Sequence, residues 1–301
     1  MPVRRAIAGR APAVVPMNDD RDGPGSEGQD NHHAPALDEA ERSEVERRRP
    51  PRAAVLHEAV GAIGEEELKR TPSALMWSGL AAGLSMGFSM VASGALQAYL
   101  PDMPFAHLLT ALGYSTGFVI VIMARQQLFT ENTLTVVLPI VAAPSWHKLG
   151  LMLRLWGVVL VANLIGITLF ALAVAKLPLL APQVDRAIAA LGTTLMSYPV
   201  PEMFVKAVAG GWIIATMVWL MPAAESARMW IIIGLTWLIA AAGLVHVIGS
   251  AGEVFYLVFV GRLAWPEVFW HYLGPVLAGN IVGGTLIFTL ISHAQVRSDT
   301  R

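Results

Sequence analysis

Six long apolar blocks separated by short polar connections dominate the chain after about residue 72. They lie near 73–100, 105–142, 149–175, 203–222, 229–260 and 268–294. Each is close to or longer than the roughly 20 residues that a helix needs to cross about 30 Å of hydrocarbon. The pattern predicts an all-α membrane protein with six transmembrane helices. The second and fifth blocks exceed one span and carry polar residues midway, around Thr130 and His246, which predicts two broken helices. Upstream, Val55, Leu56, Ala59, Val60 and Ile63 recur at helical spacing among charged residues. This predicts an amphipathic helix over 53–71 at the membrane surface. Residues 1–52, rich in Pro, Gly, Asp, Glu and Arg, read as a disordered tail, 72–294 as the transmembrane domain and 295–301 as a short C-terminal tail.

The charges follow the same division. Residues 1–70 hold 14 of the 22 acidic and 11 of the 21 basic side chains, leaving 8 and 10 for the remaining 231 residues. A soluble domain carries about 25% charged residues, so the second region has too few to solvate a surface. Tyr99, Trp146, Trp265, Trp270 and Tyr272 sit near block ends, where an aromatic belt forms. Lys69, Arg70, Lys148, Arg154, Arg228, Arg297 and Arg301 fall on one side of the six crossings. Lys176, Arg186, Lys206 and Arg262 fall on the other. The positive-inside rule then puts both termini in the cytoplasm, in a multi-pass protein of the inner membrane. A net charge near zero gives no footprint for nucleic acid. The chain has no cysteine, and its histidines lack ligand spacing, so neither a metal nor a cofactor is called for.

Block three contains Ala162-Asn163-Leu164-Ile165-Gly166-Ile167-Thr168-Leu169, and block six Gly279-Asn280-Ile281-Val282-Gly283-Gly284-Thr285-Leu286. The offset of 117 also carries Thr130, in the second block's interruption, to position 247 beside His246. A unit of three crossings must repeat upside down, which predicts a 3+3 inverted repeat. Broken helices that meet near the midplane of such a repeat are a plan for a substrate pathway. His246 lies in an apolar stretch relieved only by Ser250 and Glu253. It is read either as a packing residue or as a pore residue that attracts an anion and hands it a proton. Arg125, Glu131 and Glu253 flank the interruptions, where an unpaired charge costs roughly 2.5–3.5 kcal/mol. Arg125 is therefore expected to pair with Glu131 or Glu253. Asn163 and Asn280 are expected to cap the broken helices or bond between spans. Gly79, Gly83 and Gly87 form a small-residue stripe for close helix packing.

At these residues the chain resembles the formate/nitrite transporter family of FocA/NirC-type anion channels, over roughly 72–294. Tyr114-Ser115-Thr116-Gly117 through Leu128-Phe129-Thr130 resembles the family's second helix and its break, His246 its central histidine, and Asn280-Ile281-Val282-Gly283-Gly284 its sixth-helix signature. Ala124 to Asn132, with Trp219-Leu220-Met221-Pro222-Ala223-Ala224, resembles the YfdC-type branch. The resemblance implies an aquaporin-like protomer in a homopentamer within the lipid bilayer, not an enzyme, passing a small monovalent anion or its conjugate acid. It implies that Leu128, Phe129 and Tyr114 line constrictions and that Thr130 faces His246. The chain departs from the family where Gly243-Leu244-Val245-His246-Val247 lacks the usual acidic neighbour of the histidine. Two other classes fit the same pattern: a neutral-solute pore, and a non-transporting scaffold or sensor acting through the N-terminal tail.

Overall fold

The computed structural model describes residues 37–48, 51–224 and 226–299. The expected disordered tail falls mostly outside them. Within it, Glu39–Arg48 form helix α1 as a separate unit. Asp38 starts that helix by accepting the Glu41 amide at 2.7 Å, while Glu41 accepts the Asp38 amide at 2.9 Å. This reciprocal pair satisfies two amide donors that would otherwise be orphaned.

The remainder is built of helices joined by turns and loops, with no strand among its described residues. The amphipathic pattern gives α2 (Ala53–Leu68), and the first block gives α3 (Pro72–Tyr99). Thr71 caps α3 by accepting the Ala74 amide at 3.3 Å, and Pro72 occupies the first turn, where no amide partner is needed. The second block divides into α4 (Ala106–Met123) and α5 (Asn132–Ala142). The third and fourth blocks give α6 (Trp146–Lys176) and α8 (Val200–Leu220). The fifth divides into α9 (Arg228–Ala241) and α10 (Ala251–Phe259). The sixth is one helical run, α11 (Trp265–Ser298), loosened by π turns over Val268–Leu273 and Val282–Thr289. Among the described residues five helices are long and apolar enough to cross a membrane: α3, α4, α6, α8 (extended to Ala223) and α11. The fifth block supplies no such helix, because its break leaves segments of 14 and 9 residues.

Besides α1, sequence pattern missed a second element. Between the third and fourth blocks, Pro182–Met196 form a helix, α7, whose Val184, Ala187, Ile188 and Gly192 are buried. Their spacing is that of a one-sided apolar stripe. α7 packs on α3 and α10, with Gly192 against the Glu253 backbone. α2 does the same for the other break. It buries Leu56, Val60, Gly64 and Leu68, with Gly64 against Thr135 of α5, while Val55 and Ile63 stay exposed. So the buried stripe of α2 covers protein rather than only lipid. The glycine stripe of α3 meets α6, with Gly79 and Gly83 against Ala162 and Asn163 and Gly87 against Phe170. No side chain fits there.

The aromatic belt is also only partly a belt. Trp146, Trp270 and Tyr99 are exposed, but Tyr272 is fully buried and serves the site described below.

Near the C-terminal end of α11, His57 of α2 and His293 bond ring to ring at 2.9 Å beside Trp219. One ring must donate and the other accept, so the bond fails when both carry a second proton. Burial first, and the neighbouring His293 second, lower the His57 pKa from 6.5, against a smaller rise from Glu58. A histidine that ionises less readily when docked supports the docked state above its ordinary pKa and loses that support as the pH falls below it. The chain has no native cysteine, so a spin label on Val55→Cys reports α2 alone. Its mobility is expected to rise as the pH drops below 6.5 and to stay flat in a His57→Asn background.

Candidate functional site

The two interruptions are built alike. In the first, the chain leaves α4 through Arg125 in the left-handed region (φ 53) and re-enters helix at Asn132. In the second it turns through Gly243 (φ 62), where no Cβ penalty applies, and resumes at Ala251. Each break exposes backbone groups that the membrane interior cannot satisfy with water. Two buried asparagines satisfy them. Asn163 of α6 accepts the Phe129 amide at 2.9 Å and donates to the Gln127 and Gly79 carbonyls, both at 2.8 Å. Asn280 of α11 accepts the Val247 amide at 2.8 Å and donates to the Val245 carbonyl at 3.0 Å and the Ala207 carbonyl at 2.7 Å. Each asparagine therefore ties a break to a neighbouring helix, α3 in one half and α8 in the other.

These bonds bring Thr130 and His246 together. The Thr130 hydroxyl lies 2.5 Å from His246 Nε2. The Gly249 amide donates to Nδ1 at 2.8 Å. Because Nδ1 accepts, the ring proton belongs on Nε2, and the ring donates to the Thr130 oxygen. The Thr130 hydroxyl proton is then left for another acceptor. In this arrangement the ring has one N–H and no spare proton to hand on. Phe118 packs its ring across His246 at 5.1 Å and 72°. Tyr272 donates to the carbonyls of Val247 (2.9 Å) and His246 (3.2 Å), fixing the second break from behind. Sequence position marked Tyr272 only as a block-end aromatic. Its companion Phe118 carried no signal at all.

Leu128 and Phe129 are fully enclosed on the α5 side of this centre, and Phe129 packs edge-on against Trp156 at 5.6 Å. Asn132 holds the Leu128 carbonyl at 3.1 Å, and Gln127 links Asn132 to Glu67 of α2. On the opposite side a cavity of about 540 Å³ descends between α3, α4, α7 and the second break. Tyr114, Ser250 and Glu253 line its inner part. The Tyr114 and Ser250 hydroxyls are 3.3 Å apart. Gly249 separates them from the histidine, and a Cβ there would strike the Tyr114 hydroxyl and lie 3.1 Å from His246 Nδ1. The cavity thus ends one residue short of the centre.

The expected ion pair is absent. Among the described residues Arg125 pairs with neither Glu131 nor Glu253. Arg125 is exposed at its left-handed turn just after α4. Glu131 Oε1 and Glu253 Oε2 are buried with no hydrogen-bond partner. Among the described residues no three His, Asp or Glu side chains converge on a site for a metal ion.

The chain matches known proteins along most of its length. The family described as "Formate/nitrite transporter" matches residues 54–294. The chain is 48% identical over 254 residues to the inner membrane protein YfdC of Escherichia coli (strain K12), covering 84% of this chain and 82% of that protein. It is 25% identical over 194 residues to a probable formate transporter of Methanothermobacter thermautotrophicus, covering 58% and 69%. Among solved structures, a pentameric formate channel with formate bound superposes with a TM-score of 0.62 at 19% identity, over 76% of this chain and 98% of that one. An FNT family ion channel superposes with a TM-score of 0.69 at 20% identity, over 81% and 98%. The breaks stapled by Asn163 and Asn280, the Thr130–His246 contact between them and these likenesses together make the chain a member of the formate/nitrite transporter family.

Proposed function

We propose that this protein carries a small monovalent anion of the formate or nitrite type across the inner membrane, and that the permeant passes the Thr130–His246 centre as its conjugate acid. In this reading α9 and α10 together make the fifth of six crossings, and the two halves form an inverted repeat. The matched bonds of Asn163 and Asn280 support that symmetry. Five copies assemble with both termini in the cytoplasm. The kinship with YfdC, described as an inner membrane protein, and the likeness to a pentameric formate channel favour these features.

One observation carries the chemistry: the centre is enclosed and holds no cation. Thr130, His246, Leu128, Phe129 and Phe118 are all 0–1% exposed, and among these residues the polar side chains are a hydroxyl and a singly protonated imidazole. Bringing a bare anion into such a seat costs of order 20 kcal/mol by idealised solvation, and still several after relaxation. A neutral acid avoids most of that cost. His246 orients Thr130, and the Thr130 hydroxyl donates a hydrogen bond to the permeant oxygen. Leu128 and Phe129 form the apolar constriction on one side, and Tyr114 closes the vestibule on the other.

The test is flux into liposomes holding the purified protein, for formate, nitrite, acetate and hydrosulfide against pH, with glycerol alongside. Anion flux that rises as the pH falls, without glycerol flux, supports the reading. Glycerol flux independent of pH would make the protein a neutral-solute pore. No flux of any solute, with or without residues 1–52, would make it a scaffold.

A further inference from the structure

Glu253 is a buried acid outside the Thr130–His246 centre. It lies in the first turn of α10, 6% exposed, on the wall of the vestibule whose floor is Tyr114 and Ser250. Its Oε2 has no hydrogen-bond partner, and no described cation pairs with it. A structural carboxylate at such depth is held by a cation or by several amides. This one is held by neither.

The groups around it do not supply a partner. On the cavity wall, α4 offers His107, whose Nε2 engages the Ala241 carbonyl at 3.0 Å, and Tyr114, which bonds Ser250. Asp102 and Tyr198 also line the cavity. Lys206 of α8 lies 4.3 Å above the Tyr198 ring and 3.5 Å from Glu202. Lys176 of α6 is committed to the Phe259 carbonyl at 2.7 Å, at the far end of α10. Asp185 of α7 and Arg262 act on Tyr256, one turn along α10. Tyr272 of α11 is tied to the second break.

The geometry points to Glu253 as the group that protonates the anion in the vestibule, before it meets Thr130 and His246. Two like charges a few ångströms apart in an enclosed site cannot both persist, so an arriving anion and this carboxyl share one proton. In the forward step the carboxyl O–H bond breaks and an O–H bond forms on the anion. The conjugate acid moves inward, and the carboxylate left behind regains its proton from water in the vestibule. His246 needs no second proton for this. The inference rests on the anion-channel reading above and gives that reading its proton source.

Glu253→Gln keeps the shape and removes the transferable proton, whereas Glu253→Asp keeps the proton. In liposomes, Glu253→Gln is expected to lower formate and nitrite flux by roughly 10²-fold, as loss of a positioned proton donor does, and to flatten the rise in flux towards acid pH. Glu253→Asp should restore the pH dependence at a lower rate. Equal loss of flux at every pH with the wild-type slope retained would mean a packing role and would overturn the inference, as would an unchanged profile. Wild-type protein without any anion flux would instead remove the channel reading itself. Should Glu253→Gln fail to assemble, infrared difference spectra of the wild type decide the point. A carboxyl C=O band lost when nitrite is added is the expected result, and no carboxyl change refutes the proposal.

Discussion

Replacing His246 by Phe is expected to lower anion flux by roughly 5- to 150-fold, the equivalent of about 1–3 kcal/mol for a buried polar group stripped of its partner. Phe fills the space and leaves the assembly folded, but it removes both hydrogen bonds of the ring. Thr130 then loses the donor that holds its hydroxyl towards the pathway, and the Gly249 amide loses its acceptor. His246→Gln retains an N–H near the Nε2 position and should retain more flux than His246→Phe. Thr130→Val, which removes only the hydroxyl, should match the loss in His246→Phe. Because the two side chains act as one unit, the double variant should cost little more than either single one. Additive losses in that cycle would show that histidine and threonine work separately. Unchanged flux in both single variants would remove the centre altogether.

The largest effects on stability are expected at the asparagines. Asn280→Ala leaves the Val247 amide without an acceptor and takes a donor from two carbonyls. Asn163→Ala does the same to Phe129, Gln127 and Gly79. Bonds between membrane helices contribute about 0.6–1.7 kcal/mol each, less than an enclosed hydrocarbon site alone would suggest. Three of them, one ending in an orphaned buried amide, sum to about 2–5 kcal/mol. Both variants should therefore melt well below the wild type in detergent, and Asn→Asp should not rescue either. The aspartate keeps the amide acceptor but turns its second oxygen on two carbonyls. Wild-type melting of either alanine variant would show that the breaks are held by packing instead.

These bonds also explain how much could be read from the sequence. The amides accepted by Asn163 and Asn280 belong to Phe129 and Val247, 118 positions apart (247 − 129). The asparagines themselves are 117 apart (280 − 163), so a single offset links the third and sixth blocks and finds both breaks within one residue. The carbonyls of Gly79 and Ala207, which play matching parts, are 128 apart (207 − 79). A longer connection in one half therefore hides the first and fourth blocks from the same comparison. Apolar runs located the spans for the same reason, because hydrocarbon demands length and composition rather than particular side chains.

What pattern could not supply was partnership across the fold. Arg125 sits beside the first break with Glu131, and Glu253 sits beside the second, with charges that complement it, yet Arg125 is exposed at its left-handed turn. The expectation failed because Arg125 is exposed, which leaves the two buried carboxyls without it as a partner. α7 was missed because its stripe is short and its partners, α3 and α10, are remote in sequence. Tyr272 looked like an interfacial aromatic because the π turn that swings it inward leaves no trace in periodicity.

The claim at the centre of this account is that the anion crosses with a proton attached. It is tested most directly by following formate and proton together in liposomes under a potassium–valinomycin clamp, against protein-free liposomes. A proton is expected to accompany each formate, and the imposed potential to leave the rate unchanged. Formate that moves alone, at a rate set by the potential, would contradict it.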